Sequence, residues 1–192
     1  RSLLAWLALH RGPHARSRIA GVVRPDASEE SARKSVRDAV WAIRQALGPA
    51  GETALVADRD RIGLAGTVTT DIDDLHAALR EGRPDRAVEL ADGELLPGLH
   101  DDWVIAARRD LHATLDDALA ALAADAEDRG DLDGAITYSR RRTSLDPLSE
   151  AAARELMRRL HAAGDRGRAL SAYEDLAERL RRDLRTSPSP AT

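Results

Sequence analysis

Apolar residues recur along this chain at the three- and four-residue spacing of helices almost throughout. Leu3, Leu4 and Leu7 with Trp6 predict a short amphipathic helix that stops at Gly12-Pro13. Arg16 to Val23 predict a second, with Ile19, Val22 and Val23 facing inward, and Arg24-Pro25-Asp26 breaks the chain after it. Ser28 is a good N-cap, Glu29 and Glu30 favour the positive end of a helix, and Gly48-Pro49 is a stop, so a third helix is predicted from about Glu29 to Leu47. Its inward stripe is Ala32, Val36, Ala39, Val40, Ile43 and Leu47. Its outer stripe is Arg33, Arg37, Trp41 and Arg44, with Lys34 alongside. Ala54-Leu55-Val56 and Arg61-Ile62-Gly63-Leu64 flank Asp58-Arg59-Asp60 and read as a short hairpin. Three helices and a hairpin outline a winged helix-turn-helix over residues 1–66.

From Thr70 onward the pattern is helical only, and it repeats. Gly130-Asp131 with Ala135 returns as Gly164-Asp165 with Ala169, a period of about 34 residues, which is that of tetratricopeptide repeats. Each copy pairs a helix (about Leu111 to Asp128, then Ser149 to Ala163) with a second (about Asp133 to Ser144, then Gly167 to Leu184). Gly82 with Ala87 is a weaker copy between helices near Asp73 to Glu81 and Pro84 to Ala91. Residues 70–192 are therefore predicted to form an all-α, tetratricopeptide-like domain, and the whole chain a mainly α fold.

Composition supports this picture. The 192 residues include no Phe and 3% aromatics, so the core must be built from Leu, Ala, Val and Ile, which suits close-packed helices. The lack of Cys removes disulfides, thiolate metal sites and a cysteine nucleophile, and cytoplasm is the expected compartment. The apolar run Leu3 to Leu9 is too short for a membrane span, and no small-residue cleavage site follows it. The net charge of -4 hides an asymmetry: residues 1–66 carry 11 Arg or Lys against 7 Asp or Glu, while the remainder carries 18 against 26. A basic head suits a polyanionic partner.

Catalytic patterns are missing. The six histidines show no metal-ligand spacing, and the pairs Asp73-Asp74, Asp101-Asp102 and Asp116-Asp117 fall at expected helix starts or early turns, where capping accounts for them. No cofactor or metal is expected, and the chain does not read as an enzyme.

Leu95-Leu96-Pro97-Gly98-Leu99, then Asp102-Trp103-Val104, Leu145-Asp146-Pro147-Leu148 and the tail Pro188-Ser189-Pro190 give this chain a family likeness. With the 34-residue period, they make it resemble the actinobacterial antibiotic regulatory proteins, the SARP regulators, whose bacterial transcriptional activator domain is built of tetratricopeptide-like helices. The resemblance implies a DNA-binding activator with an N-terminal strand region ahead of Ser2. It also implies self-association as a homodimer and contact with RNA polymerase, including its sigma subunit, at a promoter.

In a helix-turn-helix the third helix enters the major groove of double-stranded DNA. Arg33, Arg37 and Arg44 are the candidates for base edges and phosphates, with Lys34, Arg59 and Arg61 as further cations. Trp41 either touches a base or sugar or is buried against the repeat domain, and the cost of exposing an indole favours burial. Asp38, Asp58 and Asp60 would each weaken attraction to phosphates. The competing reading is a protein-interaction module whose winged head no longer binds DNA.

Overall fold

The computed structural model describes all of residues 1–192. The chain folds as two compact units, residues 1–77 with 93–106, and residues 78–92 with 107–192. No helix is long and apolar enough to cross a membrane.

The first unit begins with helix α1 (Ser2–Leu9), strand β1 (His14–Ala15) and helix α2 (Arg16–Val23). Helix α3 (Glu29–Leu47) follows, with the predicted extent, and its Ser28 N-cap accepts a hydrogen bond from the Ser31 amide. Helix α4 (Pro49–Ala54) and strands β2 (Leu55–Ala57) and β3 (Arg61–Leu64) complete the head, and the sheet order is β1-β3-β2 with both pairings antiparallel. Leu3, Trp6, Leu7, Ile19, Ala32, Val36, Val40, Ile43, Leu55 and Ile62 form one buried cluster. Leu47, expected inside, is 41% exposed, because it is the final residue of α3 and the chain turns away at Gly48 directly after it.

Two elements of the head had no sequence signal. The pair His14–Ala15 is too short to show alternation, yet it pairs with Ile62 and Arg61. This pairing needs Gly63, because a Cβ there would lie 2.6 Å from the Gly12 carbonyl oxygen. Gly48-Pro49 does end α3, but Pro49 also starts α4, as its fixed φ suits a first helical position. Gly51 lets α4 cross α3 closely, since a Cβ would meet the Arg44 Cα at 2.7 Å.

Compact packing does not divide the chain between residues 66 and 70. Arg11 reaches across to helix α5 (Asp71–Arg80): its Nε donates to Asp73 Oδ1 at 2.8 Å and an Nη donates to the Val68 carbonyl at 2.6 Å. Trp103 packs on the head's core, and Ser2 Oγ donates to Asp101. The connecting segments are thus held by side chains of the head.

The second unit includes helix α6 (Pro84–Leu90), most of helix α7 (Asp102–Asp128), and helices α8 (Leu132–Leu145), α9 (Glu150–Ala162) and α10 (Arg166–Arg179). A π-helical turn, Leu180–Leu184, ends it. The repeat appears as repeated geometry. Gly130 and Gly164 both have positive φ (78° and 80°), the following amides of Asp131 and Asp165 donate to Ala126 and Leu160 at 2.8 and 2.9 Å, and both Asp side chains cap the next helix. Gly82 (φ 69°) repeats the turn, with the Arg83 amide on the Ala78 carbonyl, but Arg83 gives no side-chain cap and Pro84 supplies the first helical position instead. Ala135 is fully buried, and Ala169 packs on Ile136, Leu156 and Leu160.

Helix α7 starts nine residues before its expected beginning, with Val104 buried in its first turn. Asp116 and Asp117 therefore stand in mid-helix and are not caps. Asp116 instead holds Arg142 of α8 by two hydrogen bonds of 2.6 and 2.9 Å. Further along α7, Glu127 receives Arg158 and Arg159, which push its carboxyl down from 4.5 to about 2, chiefly through the Arg158 hydrogen bond. Because the folded value lies below the unfolded one, this stabilisation is complete above the ordinary carboxylate range and is lost as pH falls toward 2. Glu127→Gln is accordingly expected to flatten the loss of thermal stability between about pH 5 and pH 2. Melting curves of both proteins across that range check it, and parallel curves would refute it.

Candidate nucleic-acid interface

Three of the candidate cations of the head meet at one cleft. Helix α3 presents Arg33, Lys34 and Arg37 outward, all exposed, because the 100° step per residue puts them opposite Ala32, Val36 and Val40. A cleft of about 580 Å³ lies between α2, α3 and the β2–β3 turn, lined by Arg16, Ser17, Arg33, Val36, Arg37, Asp58, Arg59 and Asp60. A second cleft of about 280 Å³ continues along α3 past Arg16 and Arg37 to Trp41, Arg44 and Glu52. Arg33, Arg37 and Arg59 thus converge on one opening, and Trp41 and Arg44 adjoin it. Lys34 and Arg61 are exposed but line neither cleft.

The cations are not equivalent. Arg37 and Arg59 have no carboxylate partner, whereas Arg33 pairs with Glu29 one turn earlier at 2.6 Å. That pair is 60% and 74% exposed, so water screens it and a competing phosphate can displace it. Arg44 is half-buried, with its Nε 3.5 Å from Glu52 of α4, so this cation is partly neutralised.

Trp41 corrects an expectation. It is not buried as expected but 66% exposed, because it shares the outer stripe with Arg37 and Arg44 while its neighbours Val40 and Ile43 turn inward. Asp58 also has a different role from the one its charge suggested. Its Oδ1 accepts the amides of Asp60 and Arg61, both at 2.7 Å, and these bonds hold its carboxyl below the usual carboxylate range. It builds the turn.

Arg16 and Ser17 were missed by sequence reasoning. Their signal was positional only: they follow directly on the strand that pairs with β3, which brings the start of α2 beside the turn. No cluster of His, Cys, Asp or Glu suited to a metal ion forms in the chain.

A winged helix-turn-helix followed by tetratricopeptide-like helical pairs is the class these elements define. The sequence profile of the bacterial transcriptional activator domain matches residues 63–192, and the chain belongs to that family, a family of transcription regulators. No curated protein matches it. Among solved structures, Mycobacterium tuberculosis EmbR in complex with a low-affinity phosphopeptide is similar, with a TM-score of 0.71 and 22% identity, covering 98% of this chain and 55% of that one. The chain therefore spans about half the length of that relative, and the likeness is one of fold.

Proposed function

We propose that this chain is a sequence-specific, cytoplasmic DNA-binding activator that meets a promoter through residues 1–66. Residues 70–192 then serve to recruit RNA polymerase, with its sigma subunit, or a second copy of the chain. The observation that carries this reading is the convergence of Arg33, Arg37 and Arg59 on one cleft between α3 and the hairpin, within a head richer in cations than in anions. Helix α3 presents a guanidinium geometry that can give two hydrogen bonds to guanine, and the hairpin tip offers a cation to a flanking phosphate. Trp41, exposed beside Arg37, is placed to stack on a sugar or base.

Arg37 is the sharpest test, because it is exposed and unpaired. Arg37→Ala is expected to weaken promoter binding about tenfold, the scale of one good base or phosphate contact, while leaving the melting temperature unchanged. Fluorescence anisotropy with a labelled promoter fragment measures the first and calorimetry the second. Equal binding by the mutant would remove Arg37 from the interface.

A further inference from the structure

Arg16 opens α2 and faces the hairpin turn with two separate donors. Its backbone N–H donates to the Asp60 carbonyl at 2.9 Å, continuing the β1–β3 ladder by one bond. Its Nε donates to the Asp58 carbonyl, also at 2.9 Å. These carbonyls flank Arg59 on either side. The turn is otherwise held by its own groups: the Asp58 amide donates to the Arg61 carbonyl at 3.0 Å, and Asp58 Oδ1 takes the amides of Asp60 and Arg61.

The hairpin is anchored at its base by buried Leu55 and Ile62, and Arg16 adds an outside hold at its tip. Strand β2 has three residues and β3 four, and a ribbon this short is marginal without outside packing. The two Nη nitrogens of Arg16 take no protein acceptor, and the residue lines both clefts, with Arg37 of α3 in each and Arg59 of the turn in the larger.

We infer that Arg16 is the positioning residue of the interface: its Nε fixes the turn so that Arg59 is held over the cleft. The Nη nitrogens meanwhile offer the same bound phosphate two further donors. This rests on the DNA-binding reading above. A long cation on a loose turn must lose its freedom when it binds, whereas one on an anchored turn has lost part of it already, so Arg16 acts through Arg59 as well as for itself.

The test combines a double-mutant cycle with amide exchange. Arg16→Ala, Arg59→Ala and the double variant are titrated against one duplex at one salt concentration, and exchange at the amides of residues 16, 60 and 61 is followed in the DNA-free proteins. Arg16→Ala is expected to weaken binding more than Arg59→Ala does, and the second substitution should then add little. Exchange at those amides should accelerate several-fold, up to about tenfold, the scale of one lost hydrogen bond. Additive losses of affinity together with unchanged exchange would make Arg16 an independent phosphate contact and overturn the inference. Failure of the unmutated chain to bind DNA at low salt would instead remove the DNA-binding reading, while the exchange rates would still decide whether Arg16 anchors the turn.

Discussion

Trp6→Ala is expected to destabilise the head by about 3–5 kcal/mol, the largest effect of any single truncation in this unit. Trp6 is 2% exposed at the centre of the cluster formed by Leu3, Leu7, Ile19, Val36 and Ile62, and no other aromatic residue stands among the buried members of that cluster. Its indole also stacks on His10 at 4.2 Å and meets His14 edge-on at 4.7 Å, so it links α1 to the segment that becomes β1. The surrounding Leu, Ile and Val side chains are short and branched, and they cannot spread to fill an indole-sized void. Chemical denaturation followed by circular dichroism should show the loss. A change below about 1 kcal/mol would mean that the head's core is not organised as described.

The second large effect belongs to the repeats. Arg159 of α9 is 3% exposed, and its guanidinium reaches Ser139 Oγ at 2.9 Å, Glu127 at 3.0 Å and Glu155 at 3.0 Å. It ties α7, α8 and α9 together where the small residues Ala135 and Ser139 allow close approach. Arg159→Ala removes one partner of a buried ionic cluster and leaves Ser139 without its donor, and a loss of about 3 kcal/mol is expected. Arg159→Met, which restores most of the volume, should recover part of it. Equal stability of the alanine variant and the unmutated chain would show that Glu127 is satisfied by Arg158 alone.

How far the sequence reveals this molecule depends on how its signals are spaced. The limits of α3 were readable because Ser28 and Gly48-Pro49 are strong end signals flanking a clean apolar stripe. The repeat was readable because Gly130 and Gly164 carry a positive φ that glycine adopts freely, so the turn leaves the same residue in both copies. Strand β1 and helix α4 were hidden, since two and six residues hold too few positions to show a period. Their existence depends on Gly63 and Gly51, which the sequence presents only as interruptions.

The candidate site was legible where it lies on one helix. Arg33 and Arg37 follow from periodicity, and the structure adds Arg59 to the same cleft. What periodicity lacked was the identity of polar partners from other elements: Glu52 beside Arg44 and the Asp58 carbonyl that accepts from Arg16 are contacts made by the fold. Trp41 was misplaced for a related reason. The general cost of exposing an indole favours burial, but its position on the cationic stripe decides its exposure.

The most direct measurement is a titration of the chain with duplex DNA across salt concentrations starting at about 50 mM. With four or five cations facing the backbone, log affinity should fall with log salt at a slope of about -3 to -5. No binding at the lowest salt, or a slope near zero, would contradict a DNA-binding head and leave the repeats as the functional part of the chain.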